Sequence, residues 1–365
     1  MDIGRPTVVV TGIAGNLGQR LLLNLPEFNV IGVDMAPPRH AQPQRFERID
    51  LGEENSCQAF VNLLRDTGAT AVVHLAFVID PVQTGVLNVD RMWRINVAGT
   101  ARIMEAISEV NRHGGAVRKF VFPSSVSAYG PDLPGPVTED YPLGAHTLPY
   151  AIHKQESDDV ARMRAESLGE CTTYLLRPHI FAGATMSNYL IGALRGTPGG
   201  KGRLGAWMRA KNQRLPLLLP FGERYLMRRF QFVHVDDVAR LIAYILRRPE
   251  RAAELTILNV AGQGDPVTIQ LCARLAHQKI VRLPFAWMCR AVLSLLWKLG
   301  ISSVPADAFP YMIGSYLMDT RKLRAFLGAD YQHVIQYSVE GALLDTFQPQ
   351  AAAAPPHAHR ATNSA

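Results

Sequence analysis

Short runs of β-branched and apolar residues alternate with longer stretches of helical period through the first half of the chain. Thr7 to Val10, Val30 to Asp34, Ala71 to Leu75, Phe120 to Phe122 and Thr173 to Leu176 are apolar blocks rather than in/out alternations. Such blocks are expected of strands covered by helices on both faces, and their alternation with helices argues for parallel strands joined by crossovers. The pattern predicts an α/β fold, a doubly wound parallel sheet. Phe232 to Val235 and Thr256 to Val260 read as two further strands of it. Residues 183–230 are rich in Gly, Pro and Arg, and residues 263–345 have mainly helical period. These two segments are expected to form a smaller, mainly helical substrate-binding lobe over the C-terminal edge of the sheet, where open α/β sheets bind ligands. Residues 1–182 with 231–262 would form the larger domain. From 346 to 365 the alanines at 351–354, Pro355 and Pro356 leave too few large apolar residues to order the chain, and a disordered tail is expected.

The 365 residues are 48% hydrophobic and 19% charged, enough for a large core. The net charge of +7 comes from 31 Arg and 7 Lys spread along folded-looking sequence, too dispersed for a nucleic-acid surface. Cys57, Cys171, Cys272 and Cys289 lie far apart without a CxxC or metal-ligand spacing, so reduced thiols and no metal site are expected. The chain runs straight into an apolar strand, and no stretch approaches about 18 uncharged apolar residues. A cytoplasmic protein without a membrane span is the expectation.

The first strand is followed by Thr11-Gly12-Ile13-Ala14-Gly15-Asn16-Leu17-Gly18, which opens a helical stretch through Leu25. Glycines at 12 and 15 permit a tight turn and close approach of backbone to a pyrophosphate seated on the helix amino terminus. Asp34 ends the second strand, sixteen positions after Gly18. A carboxylate there accepts from both adenosine ribose hydroxyls and repels a 2′-phosphate, which favours NAD over NADP; Arg39 nearby pulls the other way. Tyr150 and Lys154, four apart at the start of a helical stretch, share one face. A phenol near pKa 10 needs a cation beside it to work as a base at neutral pH. The strand ending in Pro123 delivers Ser124 and Ser125 to the same edge, and a loop from Gly130 to Pro149 leads to Tyr150. A serine holding the substrate oxygen while Tyr150 exchanges its proton is the arrangement that hydride transfer requires.

These motifs resemble the NAD-dependent epimerase/dehydratase family of extended short-chain dehydrogenases/reductases, with a Rossmann doubly wound sheet. The likeness runs to about residue 345 and takes in His74-Leu75-Ala76, Asn96 to Thr100, Ser124 to Gly130, Leu176-Arg177-Pro178, Phe232 to Ala239, Asn259 to Gly262 and Asp319 to Leu323. It implies Ser125 as catalytic hydroxyl, Tyr150 as acid/base and Lys154 as the residue that binds the nicotinamide ribose and lowers the tyrosine pKa. Ser124 and Ser127 stay rivals for the hydroxyl. It also implies NAD contacts from Gly12, Ala14, Gly15, Asn16, Leu17, Gly18 and Asp34. Asp50 and Leu51 would flank the adenine, Leu75, Ala76 and Asn96 would line the channel, and Pro178 would lie near the nicotinamide. A homodimer through residues 90–113 and 150–167 is implied too. His74 and His234 read as core or strand-end residues.

Val126-Ser127 stands where a dehydratase carries an acidic pair, which argues against elimination. Ile180, Phe230 and the lack of arginine between Ala306 and Met318 depart from a standard UDP-sugar site. Against that, residues 195–229 carry nine Lys and Arg against Glu223, which suits an anionic ligand or a solvated basic loop. Arg177-Pro178-His179, followed by Ile180-Phe181 and Gly183, also resembles the 3β-hydroxysteroid dehydrogenase branch; the apolar patches Leu215 to Phe221 and Val281 to Leu299 could line such a site, touch a membrane surface or form core helices of the substrate lobe. The expectation is a small-molecule substrate, a nucleotide sugar first and an apolar alcohol second. A non-catalytic dinucleotide-binding regulator is a third reading.

Overall fold

A computed structural model describes residues 4–249 and 253–348. Seven parallel strands form the main sheet in the order β12-β7-β5-β4-β1-β2-β3. They are β1 (Thr7–Thr11), β2 (Asn29–Asp34), β3 (Arg45–Arg48), β4 (Ala71–His74), β5 (Lys119–Pro123), β7 (Thr172–Pro178) and β12 (Leu255–Val260). A four-stranded sheet combines β6 (Asp132–Val137), β10 (Arg229–Phe230), β13 (Val267–Thr268) and β15 (Ser315–Met318). Two short pairs remain: β8 (Ile180–Ala182) with β11 (Phe232–His234), and β9 (Leu217–Pro220) with β14 (Ile280–Leu283).

The apolar blocks are explained by the two layers around the main sheet. Val8 and Val10 belong to a core with Leu21, Leu241, Ile242 and Ile245, whereas Val9 between them packs on the opposite face with Phe60, Leu64, Ile103 and Ile107. A β-strand turns successive side chains to opposite faces, so both faces must be apolar when both are covered. A further core joins Leu190, Leu194, Phe230, Tyr311 and Tyr316 to Val126, Tyr129, Ala151 and Phe232.

Two expectations need correction. Phe232 to Val235 does not extend the main sheet: β11 pairs with β8, and Val235 already starts the helix Val235–Arg247, capped by His234. Between β7 and β8, His179 N donates to Val260 O (2.8 Å), the last bond between β7 and β12. The expected loop 130–149 contains strand β6, an edge strand whose Pro134 and Pro136 conceal it from an apolar pattern. The helix Val339–Phe347 carries the described chain past 345, and the tail beyond 348 lies outside the described residues. Among the described residues no helix is long and apolar enough to cross a membrane.

Candidate active site

Sheet order reverses between β1 and β4, and the glycine loop sits in the crevice at that switch point. Gly12 has φ +71°, and a Cβ there would lie 2.6 Å from the Ala76 amide nitrogen. A Cβ on Gly18 would lie 2.5 Å from Gly12 O. The loop and the β4 end therefore touch through backbone, with Leu75 N donating to Thr11 O (3.1 Å) and Ala76 N to Thr11 Oγ1 (3.2 Å). His74 bridges Thr11 and Thr100 (2.7 and 3.0 Å), and burial pushes its pKa down to about 3. It is a neutral core histidine.

Asp34 holds this loop from β2. Its carboxylate accepts from Ala14 N (3.0 Å) and Met35 N (2.7 Å). Asn16 reaches across to the lobe, donating to Thr185 O and Oγ1 (3.0 and 2.8 Å), and Arg20 joins Thr185 Oγ1 to Asp236. Ala14, Asn16, Arg20 and Arg39 line one opening of about 490 Å³. Asp50 and Asn96 also make contacts within the protein. The Asp50 carboxylate is ion-paired with Arg91 and accepts from Gly52 N (2.9 Å). The Asn96 side chain is buried and clamps Val78, accepting from its amide (2.7 Å) and donating to its carbonyl (3.0 Å).

At the end of β5, Ser125 starts a 3-10 turn, Val126–Tyr129. Its Oγ accepts from Ser127 N (3.1 Å) and Ser127 Oγ (2.9 Å), which leaves its own hydrogen to donate. Pro149 fixes the first turn of the helix Pro149–Arg164, which carries Tyr150 and Lys154. The Tyr150 phenol meets the hydroxyls of Ser125 and Ser127, and burial raises its pKa more than those hydrogen bonds lower it. Ser124 lies outside that contact, its Oγ buried without a hydrogen-bond partner among the described residues. Lys154 is 5% exposed, donates to Pro123 O (2.7 Å) and lies 3.6 Å from the Phe77 ring centre. The Phe77 ring sets its edge on Tyr150 (5.9 Å between centres). Burial brings Lys154 down to about 7, with Asp158 one turn on resisting the change.

Nothing in the sequence singled out Phe77. An aromatic residue after a strand reads as core until Lys154 is seen on its face.

Two spaces share Tyr150, Leu148 and Tyr189 in their walls. One of about 130 Å³ is lined by Ser125, Ser127, Pro178, Tyr311 and Tyr316. The other, of about 650 Å³, is lined by Leu87, Met92, Trp287 and Trp297, with Arg290 and Asp307 paired at 3.4 Å. None of the cations of residues 195–229 lines either space. Arg195, Arg209 and Arg214 instead bind backbone carbonyls such as Thr346 O, Gly200 O and Ala276 O. Among the described residues no cluster of His, Cys, Asp and Glu could hold a metal ion, and the four cysteines are unpaired.

A parallel sheet with a glycine crevice at its switch point, and a Ser-Tyr-Lys grouping on the same edge, defines a dinucleotide-binding α/β protein. The chain belongs to the NAD dependent epimerase/dehydratase family, whose pattern it matches over residues 8–261. It is 31% identical over 203 residues to UDP-glucose 4-epimerase 4 of Oryza sativa subsp. japonica, covering 50% of this chain and 52% of that one. The chain thus spans about half the length of that relative. It is 26% identical to the UDP-glucose 4-epimerase of Haemophilus influenzae, over 71% of this chain and 79% of that one. The fold is similar to MoeE5 in complex with UDP-glucuronic acid and NAD (TM-score 0.62, 22% identity, 93% and 97% covered). It is also similar to the Thermus thermophilus UDP-glucose 4-epimerase complex with NAD (TM-score 0.63, 19% identity, 93% and 97% covered).

Proposed function

We propose that this protein is an NAD-dependent oxidoreductase or epimerase acting on a secondary alcohol, that of a nucleotide sugar. The observation that carries this reading is the meeting of the Tyr150 phenol with the Ser125 and Ser127 hydroxyls beside Lys154, at the edge that holds the glycine crevice. The glycine turn supports this reading: a Cβ at Gly12 or Gly18 would meet the backbone of Ala76 or of Gly12, so glycine is what lets this loop close onto the helix amino terminus where a pyrophosphate would sit. Gly12, Ala14, Gly15, Asn16, Leu17 and Gly18 would hold the pyrophosphate and Asp34 the ribose. Asp50, Leu51, Leu75, Ala76, Asn96 and Pro178 would form the remaining wall. Bound NAD supplies the hydride acceptor. Tyr150 takes the hydroxyl proton of the substrate, and Ser125 donates a hydrogen bond to the same oxygen as it becomes a carbonyl. Lys154, when protonated, places positive charge behind the phenol and favours its ionised form. The relatives named UDP-glucose 4-epimerase support the nucleotide sugar as substrate class.

The lining of the two spaces favours a second reading, a single oxidation of an apolar, sterol-like alcohol with NADH released. Quantifying NAD(H) freed on denaturing protein purified without added cofactor separates the two. Near-stoichiometric release supports a closed redox cycle and an epimerase, whereas an empty protein that binds NAD reversibly supports the dehydrogenase. Tyr150→Phe is expected to lower kcat/KM by about 10² to 10⁴ with the fold intact. Turnover within a few-fold of wild type would sink this chemistry, whereas unchanged function of Tyr150→Phe in cells would favour a non-catalytic dinucleotide-binding regulator.

A further inference from the structure

Ten of the twenty exposed large hydrophobic residues among the described residues lie in two basic segments. Residues 195–229 and 279–300 hold thirteen lysines and arginines against one acidic residue, Glu223. That is +12 in a chain of net charge +7, so all the other residues together carry −5. Ion pairs join Arg282 to Glu223, Arg228 to Asp132 and Arg290 to Asp307. Arg203, Lys211, Arg229 and Lys298 are exposed.

The helix Ala286–Lys298 lies in this region and is apolar on two faces. Cys289 and Leu293 pack inward with Leu218 and Phe309. Trp287, Ala291, Leu295 and Leu299, spaced by four, form an exposed stripe, Trp287 at 66% and Leu295 at 56%. A surface helix of a globular protein carries polar residues on that side. At one end Phe285 stacks on Trp287 (6.4 Å), and exposed Phe221 donates its amide to Leu283 O (2.8 Å). At the other end Gly202 and Gly205 pack on Gly300, which brings in the helix Arg203–Ala210 with exposed Leu204 and Trp207.

We propose that this face is a peripheral membrane-binding surface, seated on an anionic lipid bilayer. Its Trp, Phe and Leu side chains enter the headgroup boundary, and the surrounding Arg and Lys meet lipid phosphates. Charge selects the occupant. A second copy of the same face would set one basic surface against another, whereas an anionic leaflet complements it. Trp and Phe interleaved with Arg and Lys is also the composition that settles at a lipid–water boundary. Because Trp287 belongs both to this face and to the 650 Å³ space that reaches Tyr150, the mouth of that space opens at the docked surface.

The test is co-sedimentation of the full chain with phosphatidylcholine vesicles, with and without phosphatidylglycerol. Binding is expected only to the anionic vesicles and falls roughly tenfold or more from low to high salt. Leu295→Glu with Leu299→Glu, both outside the lining of the cavity, abolishes it while circular dichroism and Tm stay as in wild type. Should that pair unfold the chain, Arg203→Glu with Lys211→Glu gives the same reading through charge alone, with roughly tenfold weaker vesicle binding expected. A wild-type chain that stays in the supernatant overturns the proposal. So does vesicle binding by the folded Glu variants equal to wild type, or a wild-type dimer in sedimentation velocity that those variants dissociate.

Discussion

Lys154 is the residue where burial and chemistry conflict. Its amine sits against Phe77 and under Pro123 O, and burial brings its pKa from 10.5 to about 7. Between about pH 7 and 10.5 the unfolded chain therefore holds a proton on this amine that the folded chain has lost. Stability from this group rises with pH across that window, while below it the cost of burying the cation is present in full. Lys154→Met removes both the cost and its pH dependence. In urea unfolding the variant is expected to gain most on wild type at pH 7 and less at pH 9. An equal difference at the two pH values would show that the amine does not titrate in that window.

One turn along the same helix, Asp158 ties Pro149–Arg164 to β7. Arg177 is 1% exposed and donates to both carboxylate oxygens (2.9 and 2.8 Å), to the Tyr129 hydroxyl (2.7 Å) and to Glu139 O (2.7 Å). Tyr129 then donates to Asn259 Oδ1 on β12 (2.7 Å). The network fixes the helix bearing Tyr150 and Lys154 relative to the turn bearing Ser125. Asp158→Asn strands a buried guanidinium and is expected to cost about 3–5 kcal/mol, measured as a fall in Tm. Asp158→Leu with Arg177→Met should recover much of that stability, since it removes the charges together. The sequence placed Arg177 in a motif but could not show this bond, because Asp158 lies nineteen positions away and meets it only through tertiary packing.

Over the whole molecule, the lobe and the main sheet are joined above the glycine crevice. Asn16 and Arg20 both reach Thr185, and His234 pairs with Asp345 (3.0 Å) while stacking on Tyr337 (3.7 Å between centres). Thr185→Val keeps the shape and removes two hydrogen bonds to its hydroxyl. On the proposed function NAD should dissociate about three- to tenfold faster, by stopped-flow fluorescence, with Tm little changed. An unchanged dissociation rate would mean that this join does not retain the dinucleotide. The charge asymmetry acts at this scale as well, because only the fold gathers residues 195–229 and 279–300 into one region.

The doubly wound sheet, the glycine crevice and the face shared by Tyr150 and Lys154 are all legible in the order of residues. All of these rest on local periodicity, on glycine at positions a side chain would block, or on helical spacing. Tertiary structure alone decided the placement of β11 outside the main sheet and the strand hidden by Pro134 and Pro136. It also turned the Asp50 and Asn96 side chains to Arg91 and Val78, set Phe77 over Lys154, and aimed the basic segment away from Tyr150. Each of those outcomes depends on which distant groups compete for a hydrogen bond or a buried surface, and sequence spacing carries no record of that competition.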